Sequence, residues 1–586
     1  MEKWLIRNKN RNYTEIAIQL GISEMIARLL INRDVSDKES IELFLEPQID
    51  KLISPMLMKD LDLGANIILN KIKDNKRIRI VGDFDVDGVM SVYILYKGLK
   101  KLGAIVDYII PDRVLDGYGI NIDIVNAAKK DGIDTILTCD NGIAALDQIK
   151  LAKELGLTVI VTDHHDIPYK DENGIKTYLS SQSDAIINPK QIECEFPFKN
   201  LCGAGIAYKL ISYLYSKCDI TTEDEFLEFV AIATVCDVVD LIGENRIIVK
   251  KGIEALNKTN NLGLQALIDI SGIKDKDIGV YHIGFIIGPT INASGRLDTA
   301  LYALNLLLTE NIVQAYEMAK ILRDLNEERK IMTIDGVERV IAQIENSIIK
   351  IDKVLVIYDP EIHESIAGII AGRIKDRYNM PTIVLTRGQD GVKGSARSIE
   401  EYNMFEELSK CKDLLNRFGG HPMAAGLSLD EENIIELRNR LNKNSSLTED
   451  DLIPKIYIDM GLPIEYINYK LIEEIKSLEP FGKGNPKPLF GEKKLSIQRG
   501  TLLGAKKNVL RLNLLSAKGQ KIEGLLFNGT DIFIDGIINN YGEQELAKMF
   551  KGIKNNILVD ILYYPDINEY MGNISLQVSI KNFRFN

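Results

Sequence analysis

Ile78-Arg79-Ile80-Val81-Gly82-Asp83-Phe84-Asp85-Val86-Asp87-Gly88 is the stretch from which the rest of the chain can be read. An apolar, β-branched run ends in three carboxylates at alternate positions, closed by a glycine. Two more runs end in a similar way. Thr135-Ile-Leu-Thr138 leads into Cys139-Asp140-Asn141-Gly142, and Thr158-Val-Ile-Val161 leads into Asp163-His164-His165. Short apolar runs separated by helix-like segments read as parallel strands buried on both faces. In an open α/β sheet the ligand crevice lies beyond the carboxyl ends of the strands. Three strands would then deliver acids and imidazoles to one edge.

Taken singly, an Asp-Gly after a strand is ordinarily a turn, and an Asp-His-His is ordinarily solvated. Three in register favour a metal site. Hard oxygen donors with one or two imidazoles suit Mn2+ or Mg2+, and a carboxylate-rich cluster suits two such ions clamping a phosphodiester. The expected ligands are Asp83, Asp85, Asp140 and His164, with Asp140 bridging. Asp237 joins them, because an acid inside Ala233-Thr-Val-Cys-Asp-Val-Val-Asp240 is costly to bury unless paired or metal-bound. Asp87 and Asp163 are expected behind the ligands. His165, oriented by Asp163, is expected as a phosphate contact or proton donor, so that Asp140, His164 and His165 form the catalytic group.

A chain of 586 residues is too long for one core and implies three or four domains. Its six Cys form no CxxC pair and several lie in apolar runs, which argues for reduced thiols in a cytoplasmic protein and against a zinc site or disulfide framework. The N-terminal residues show no signal-peptide pattern, and no apolar run is long enough to cross a bilayer. The net charge of -12 is unusual for a nucleic-acid binder, but binding is local and clustered acids at a metal site contribute to it.

The expected architecture is α/β. A helical segment over residues 1–60 precedes a parallel-sheet core domain over 61–310. A long charged helix over 311–350 connects it to a second, smaller α/β domain over 351–450. Short strand-like pieces with Gly-bearing turns over 451–586 read as a β-barrel of OB type. The second α/β domain carries Lys393-Gly-Ser395-Ala-Arg397-Ser398 and Gly419-Gly420-His421, a hydroxyl and a guanidinium beside a Gly-flanked imidazole. Glycines permit close backbone approach, and Arg forks onto phosphate oxygens bidentately.

Several segments together carry a family resemblance: Gly82-Asp-Phe-Asp-Val-Asp-Gly88, Pro111-Asp-Arg-Val-Leu-Asp-Gly-Tyr-Gly119, Asp163-His-His165 and Gly288-Pro-Thr-Ile-Asn-Ala-Ser-Gly-Arg-Leu297. His363-Glu364, Gly419-Gly-His-Pro-Met-Ala-Ala-Gly426 and Glu479-Pro-Phe-Gly-Lys-Gly-Asn-Pro486 follow in the same order. By these motifs, which run through most of its length, the chain resembles the DHH phosphoesterases, and within them the single-strand-specific exonucleases. The resemblance implies that residues 61–310 are the DHH domain and 351–450 the DHH-associated domain, whose Gly-Gly-His loop faces the metal centre. It implies that Ser395, Arg397 and His421 hold the nucleotide, and that Arg113 and Arg296 bind a terminal 5′ phosphate. Two positions depart from the pattern: Thr290 stands where relatives carry Arg, and Arg79 where phosphohydrolase relatives carry His. The first removes a guanidinium, and the second leaves one metal site with fewer protein ligands.

The barrel carries a local reversal of charge. Between 479 and 523 stand Lys483, Lys487, Lys493, Lys494, Arg499, Lys506, Lys507, Arg511, Lys518 and Lys521, against Glu479, Glu492 and Glu523. This reads as an electrostatic track for a strand backbone, with Lys483, Lys487, Lys506, Lys507 and Arg511 as DNA contacts and Phe481, Phe490 and Phe527 as the few aromatic candidates. The expectation is a metal-dependent 5′→3′ exonuclease that hydrolyses single-stranded DNA to mononucleotides in repair and recombination. It would use two divalent ions, act as a monomer, and work beside a helicase or a single-strand-binding protein. The alternatives are an oligonucleotide or cyclic-dinucleotide phosphodiesterase of the same superfamily and a catalytically inactive replisome scaffold.

Overall fold

The computed structural model of the chain describes residues 2–9, 12–172, 175–221, 225–388, 391–505, 507–570 and 572–585. It divides into two compact units, Ile49–Pro454 and a second made of Met1–Gln48 with Lys455–Asn586.

The larger unit begins with a parallel sheet of five strands: β1 (Arg77–Val81), β2 (Ile105–Ile109), β3 (Thr135–Cys139), β4 (Thr158–Thr162) and β5 (Ala185–Ile187), in the order β2-β1-β3-β4-β5. Alternate side chains enter opposite cores. Ile80, Leu137, Ile160 and Ile187 pack on one face, and Val81, Ile136, Val159 and Ile186 on the other. Burial on both faces explains why the strands read as continuous apolar runs. Arg79 is the exception within β1. Its guanidinium pairs with Asp107 and Asp131 at 2.9 Å each, so it serves the sheet and supplies no metal ligand.

Helix α1 (Val86–Lys101) follows β1 directly, capped by Asp85, whose side chain accepts from the Gly88 amide at 3.1 Å. Helices α2 (Gly203–Lys217), α3 (Leu227–Cys236) and α4 (Gly288–Leu297) are the other core-domain helices that border the site. Among the described residues no strand lies between β5 and residue 355, so the latter part of the core domain expected over 61–310 is helical. The apolar run holding Asp237 is therefore the end of helix α3, which packs against α1 and α2.

Helix α5 (Ile312–Glu345) runs for 34 residues and joins two cores. Ala315, Ala319 and Leu322 near its start belong to the core of the first sheet, while Val340 and Ile344 near its end belong to that of the second. The second sheet comprises β6 (Leu355–Tyr358), β7 (Thr382–Gly388), β8 (Gly391–Arg397), β9 (Arg417–His421) and β10 (Ala424–Leu429), in the order β9-β10-β8-β7-β6.

In the other unit, β11 (Phe490–Leu503), β12 (Val509–Leu515), β13 (Lys521–Leu526), β14 (Leu558–Tyr570) and β15 (Asn573–Phe585) close into a barrel in the order β11-β12-β13-β15-β14, with β14 returning to β11. Register shifts within β11 at Glu492/Leu495 and Ile497/Arg499 let one long strand bend to serve two neighbours. Residues 1–60, expected as one segment, divide at 48/49. The amphipathic helices Glu24–Asn32 and Lys38–Leu45 bury Leu29, Leu30, Ile41 and Phe44 in the core that holds Phe490 and Leu512 of the barrel. Arg33 locks this junction: its guanidinium donates to Asn485 Oδ1 at 2.7 Å and pairs with the buried Asp459 at 3.4 Å. Asn485, in the Glu479–Pro486 motif, also donates to the carbonyls of Leu478 and Pro480 at 2.8 Å each. That motif thus seats the N-terminal helices. Among the described residues no helix is long and apolar enough to cross a membrane.

Candidate metal centre and phosphate cleft

The strand order reverses direction between β1 and β3, which is where an open α/β sheet leaves its crevice. The loops after β1, β3 and β4 bring Asp83, Asp85, Asp140, His164 and His165 to that point, and the end of α3 adds Asp237. Their donor atoms gather into three groups, each within 4.8 Å: Asp83, Asp85 and Asp140; Asp140, His164 and His165; Asp87, His164 and Asp237. His164 Nε2 lies 3.1 Å from Asp140 Oδ1 and 3.7 Å from Asp87 Oδ2, and its Nδ1 lies 3.8 Å from Asp237 Oδ2. Asp140 and His164 each belong to two of the groups.

Close backbone approach builds the cluster. Gly203 at the start of α2 abuts Asp140, where an added Cβ would come within 2.7 Å of the Asp140 Cβ. Asp140 itself sits at φ 59°, and Val238, just after Asp237, at φ 56°. A β-branched residue in the left-handed region is a true outlier, and such strain concentrates at functional sites.

The electrostatics show what the site suits. Burial and the neighbouring carboxylates push Asp83 and Asp140 well above the ordinary range; the same causes take Asp237 up to about 8 and Asp87 to about 6. Oδ1 of Asp83, Oδ1 of Asp140 and Oδ2 of Asp237 are buried with no hydrogen-bond partner. Orphaned, hard, mutually repelling oxygens beside an imidazole fit a divalent cation. Burial, together with the neighbouring His165, lowers His164 to about 3, which keeps its ring neutral and able to ligate.

Asp87 and Asp163 hold the frame. Asp87 accepts from the amides of Gly203 and Ala204 at 2.6 and 2.8 Å, so it anchors the start of α2 while standing within the His164–Asp237 group. Asp163 accepts from Ile143 N at 2.9 Å, from His164 N and from His165 Nδ1 at 2.7 Å each. Burial alone would lower His165, but this carboxylate outweighs it and pushes the ring up to about 9. His165 is therefore cationic at neutral pH. Tyr118 was not foreseen: its hydroxyl donates to the Asp140 carbonyl at 2.8 Å and lies 3.3 Å from His165 Nδ1. Only its Gly-Tyr-Gly setting hinted at a role.

Beside the acids lies a cleft of about 480 Å³, lined by Phe84, Arg113 and Tyr118 from the first α/β domain and by Ser365, Ser395 and Gly419 from the second. The guanidinium of Arg113 stands over the Phe84 ring, 4.6 Å from its centre. Arg296, at the end of α4, donates to the Ser365 carbonyl at 2.6 Å. Burial and the nearby Arg113, Arg329 and Arg397 hold Arg296 down to about 9, and burial with Arg113 also lowers Arg397. His421 is exposed on the rim, its Nδ1 3.7 Å from Asp166 in the loop that carries His164 and His165.

Arg329 of α5 is a second residue that the sequence did not reveal. Thr290 accepts from Asn326 Nδ2 at 3.1 Å, and Asn326 Oδ1 in turn accepts from Arg329 Nε and Nη2 at 3.1 and 2.9 Å. A positive charge held through Thr290 thus reaches the cluster from another helix. A helix read as a connector gave no signal of this.

Among the described residues the barrel's cations form no comparable cluster. Lys483, Lys487 and Lys507 are exposed, Lys487 lies over the Tyr564 ring at 4.4 Å from its centre, and Arg511 stands 3.9 Å from Glu523. Lys506 lies outside the described residues. Phe490 is fully buried against Tyr563 in the barrel core, so it offers no base a stacking surface; Phe527 is exposed.

In sequence, the DHH family N-terminal domain matches residues 77–234, the DHHA1 domain 352–445 and the RecJ OB domain 458–582. Fold and domain matches together define a DHH-type phosphoesterase. The single-stranded-DNA-specific exonuclease RecJ of Bacillus subtilis is 35% identical over 99% of this chain and 70% of its own length, and that of Escherichia coli 31% identical over 99% of each. The chain belongs to the RecJ family. The crystal structure of RecJ from Thermus thermophilus in complex with Mn2+ matches with a TM-score of 0.82 at 26% identity, covering 99% of this chain and 79% of that one. The Mg2+ complex of the same protein matches at 0.77 and 25% identity, over 99% of this chain and 78% of that one.

Proposed function

We propose that this chain is a metal-dependent exonuclease that takes single-stranded DNA by its 5′ end and releases mononucleotides. The observation that carries the reading is the adjacency of a buried carboxylate–imidazole cluster and a buried arginine cluster, with Arg113 and Arg296 close enough to Asp85 to feel its charge. Asp83, Asp85, Asp140, His164 and Asp237 would hold two divalent ions, Mn2+ or Mg2+, which supply water activation and charge neutralisation on the phosphodiester. His165, cationic and oriented by Asp163, donates to a phosphate oxygen or protonates the leaving oxygen. Arg113, Arg296, Arg397 and Ser395 grip the terminal phosphate and set the distance from strand end to scissile bond. His421 closes the nucleotide from the DHH-associated domain. The barrel, through Lys483, Lys487, Lys507 and Arg511, grips the backbone of the remaining strand without reading bases.

An enzyme confined to unpaired strands leaves the opening of duplexes to other proteins, a helicase or a single-strand-binding protein, and a role in repair and recombination follows from that reading. Metal-free protein given Mn2+ or Mg2+ and an end-labelled single strand should yield mononucleotides. Absence of hydrolysis with either ion would end this reading.

A further inference from the structure

The helical run that carries Arg296 has a second end that the reaction does not use. Val280–His282, the π-helical turn Ile283–Ile287 and α4 form one continuous segment. Its contacts follow one line. Gly284 and Gly288 lie against Val235 and Cys236, directly before Asp237; Asn292 accepts from the Val86 amide; Gly295 abuts Phe84; and Arg296 reaches Ser365. Along this segment the order is phosphate pocket, metal centre, and then Phe285, roughly 16 Å from Arg296 measured along the axis at the α-helical rise.

At this far end Tyr281 and Phe285 are 64% and 70% exposed, with ring centres 5.2 Å apart and planes at 27°. Among the described residues they are the one near-parallel aromatic pair with both rings exposed. Scattered exposed apolar residues are ordinary, but two large rings held in register by a π-turn are not, and π-turns recur at functional sites. Near the pair, Lys276 is flanked in sequence by Asp275 and Asp277, so its charge is offset.

We propose that Tyr281 and Phe285 form a stacking platform for a base on the 3′ side of the scissile bond. The proposal rests on the exonuclease reading above. A terminal phosphate at Arg296 and a scissile phosphate at Asp140 and Asp237 leave the rest of the strand to run toward this end. Aromatic faces take any base, which suits an enzyme that must move along a strand regardless of sequence. Fraying of the strand between cleavages would be resisted here, on the side away from the phosphate pocket.

The test uses the full chain with Mn2+ and 5′-phosphorylated oligonucleotides, either intact or abasic on the 3′ side of the first scissile bond. Tyr281→Ala with Phe285→Ala should raise KM for the intact strand on the order of tenfold, and the penalty should vanish on the abasic strand. Phe285→Tyr should restore the affinity, and thermal unfolding should show all variants folded. An equal penalty on both strands from folded variants, or none on the intact strand, would overturn the platform and leave the pair as a surface for another protein. Failure of the wild type to cut either strand would instead refute the exonuclease reading.

Discussion

The acidic cluster and the arginine cluster are opposite in charge and alike in physics. At one, carboxylates crowd together and burial raises their pKa values; at the other, guanidiniums crowd together and Arg296 is held down to about 9. Neither cluster neutralises the other. Arg113 feels Asp83 and Asp85, yet its own pKa is lowered because burial outweighs them. A protein that needed only stability would have paired these charges. Each cluster instead keeps its valence for a ligand, cations at the acids and phosphate at the arginines. They differ in rigidity: the acids sit on strand ends and helix caps of one domain, while the arginines come from β8, α4, α5 and the loop after β2.

The largest expected effect comes from breaking the acidic end. Asp140→Ala should reduce turnover at saturating Mn2+ by about a thousandfold or more, while circular dichroism shows the fold intact. Near-normal turnover would remove Asp140 from the bridging position. Breaking the other end should act on recognition. Arg113→Ala with Arg296→Ala should erase the preference for a 5′-phosphorylated strand, a loss of about a hundredfold in kcat/KM, while bound metal, read by titration, is unchanged.

Titration sharpens the comparison. Asp87 and Asp237 are raised to about 6 and about 8, so the metal-free fold holds protons that the unfolded chain has released. Their contribution to stability is complete below the unfolded value of about 4 and is lost as pH rises through the folded values. Divalent ions take the ionised carboxylates, so the gain in Tm on adding Mn2+ should grow from about pH 5.5 to about pH 8.5. A gain independent of pH would mean that Asp237 is not a ligand. The smallest effect belongs to the barrel. Lys487→Gln should lower the slope of log affinity against log salt by about 1, uniformly across sequences. An unchanged slope would take Lys487 off the strand's path.

The strand ends were legible because chemistry and periodicity coincide there: β1, β3 and β4 each stop where an acid or histidine begins. Asp237 was legible by cost alone, as a charge in an apolar run, although that run is a helix. Tyr118 and Arg329 were not, since their roles depend on Asp140 and Thr290, partners that hydrophobic pattern cannot name. Where the N-terminal helices dock was unreadable for the same reason. Their apolar faces are plain in sequence, but Arg33 meets Asp459 across more than four hundred residues. Phe490 was misread because an aromatic in a basic tract looks like a stacking surface until the barrel closes over it.

Strand polarity tests most directly the claim that the two clusters act as one site. A single strand labelled at its 3′ end, with and without a 5′ phosphate, is compared with a blunt duplex of the same sequence. An arginine pocket that seats the 5′ end predicts a ladder of shortening, still-labelled fragments, faster with the 5′ phosphate, and an untouched duplex. Immediate release of the labelled 3′ nucleotide, or equal attack on the duplex, would contradict it.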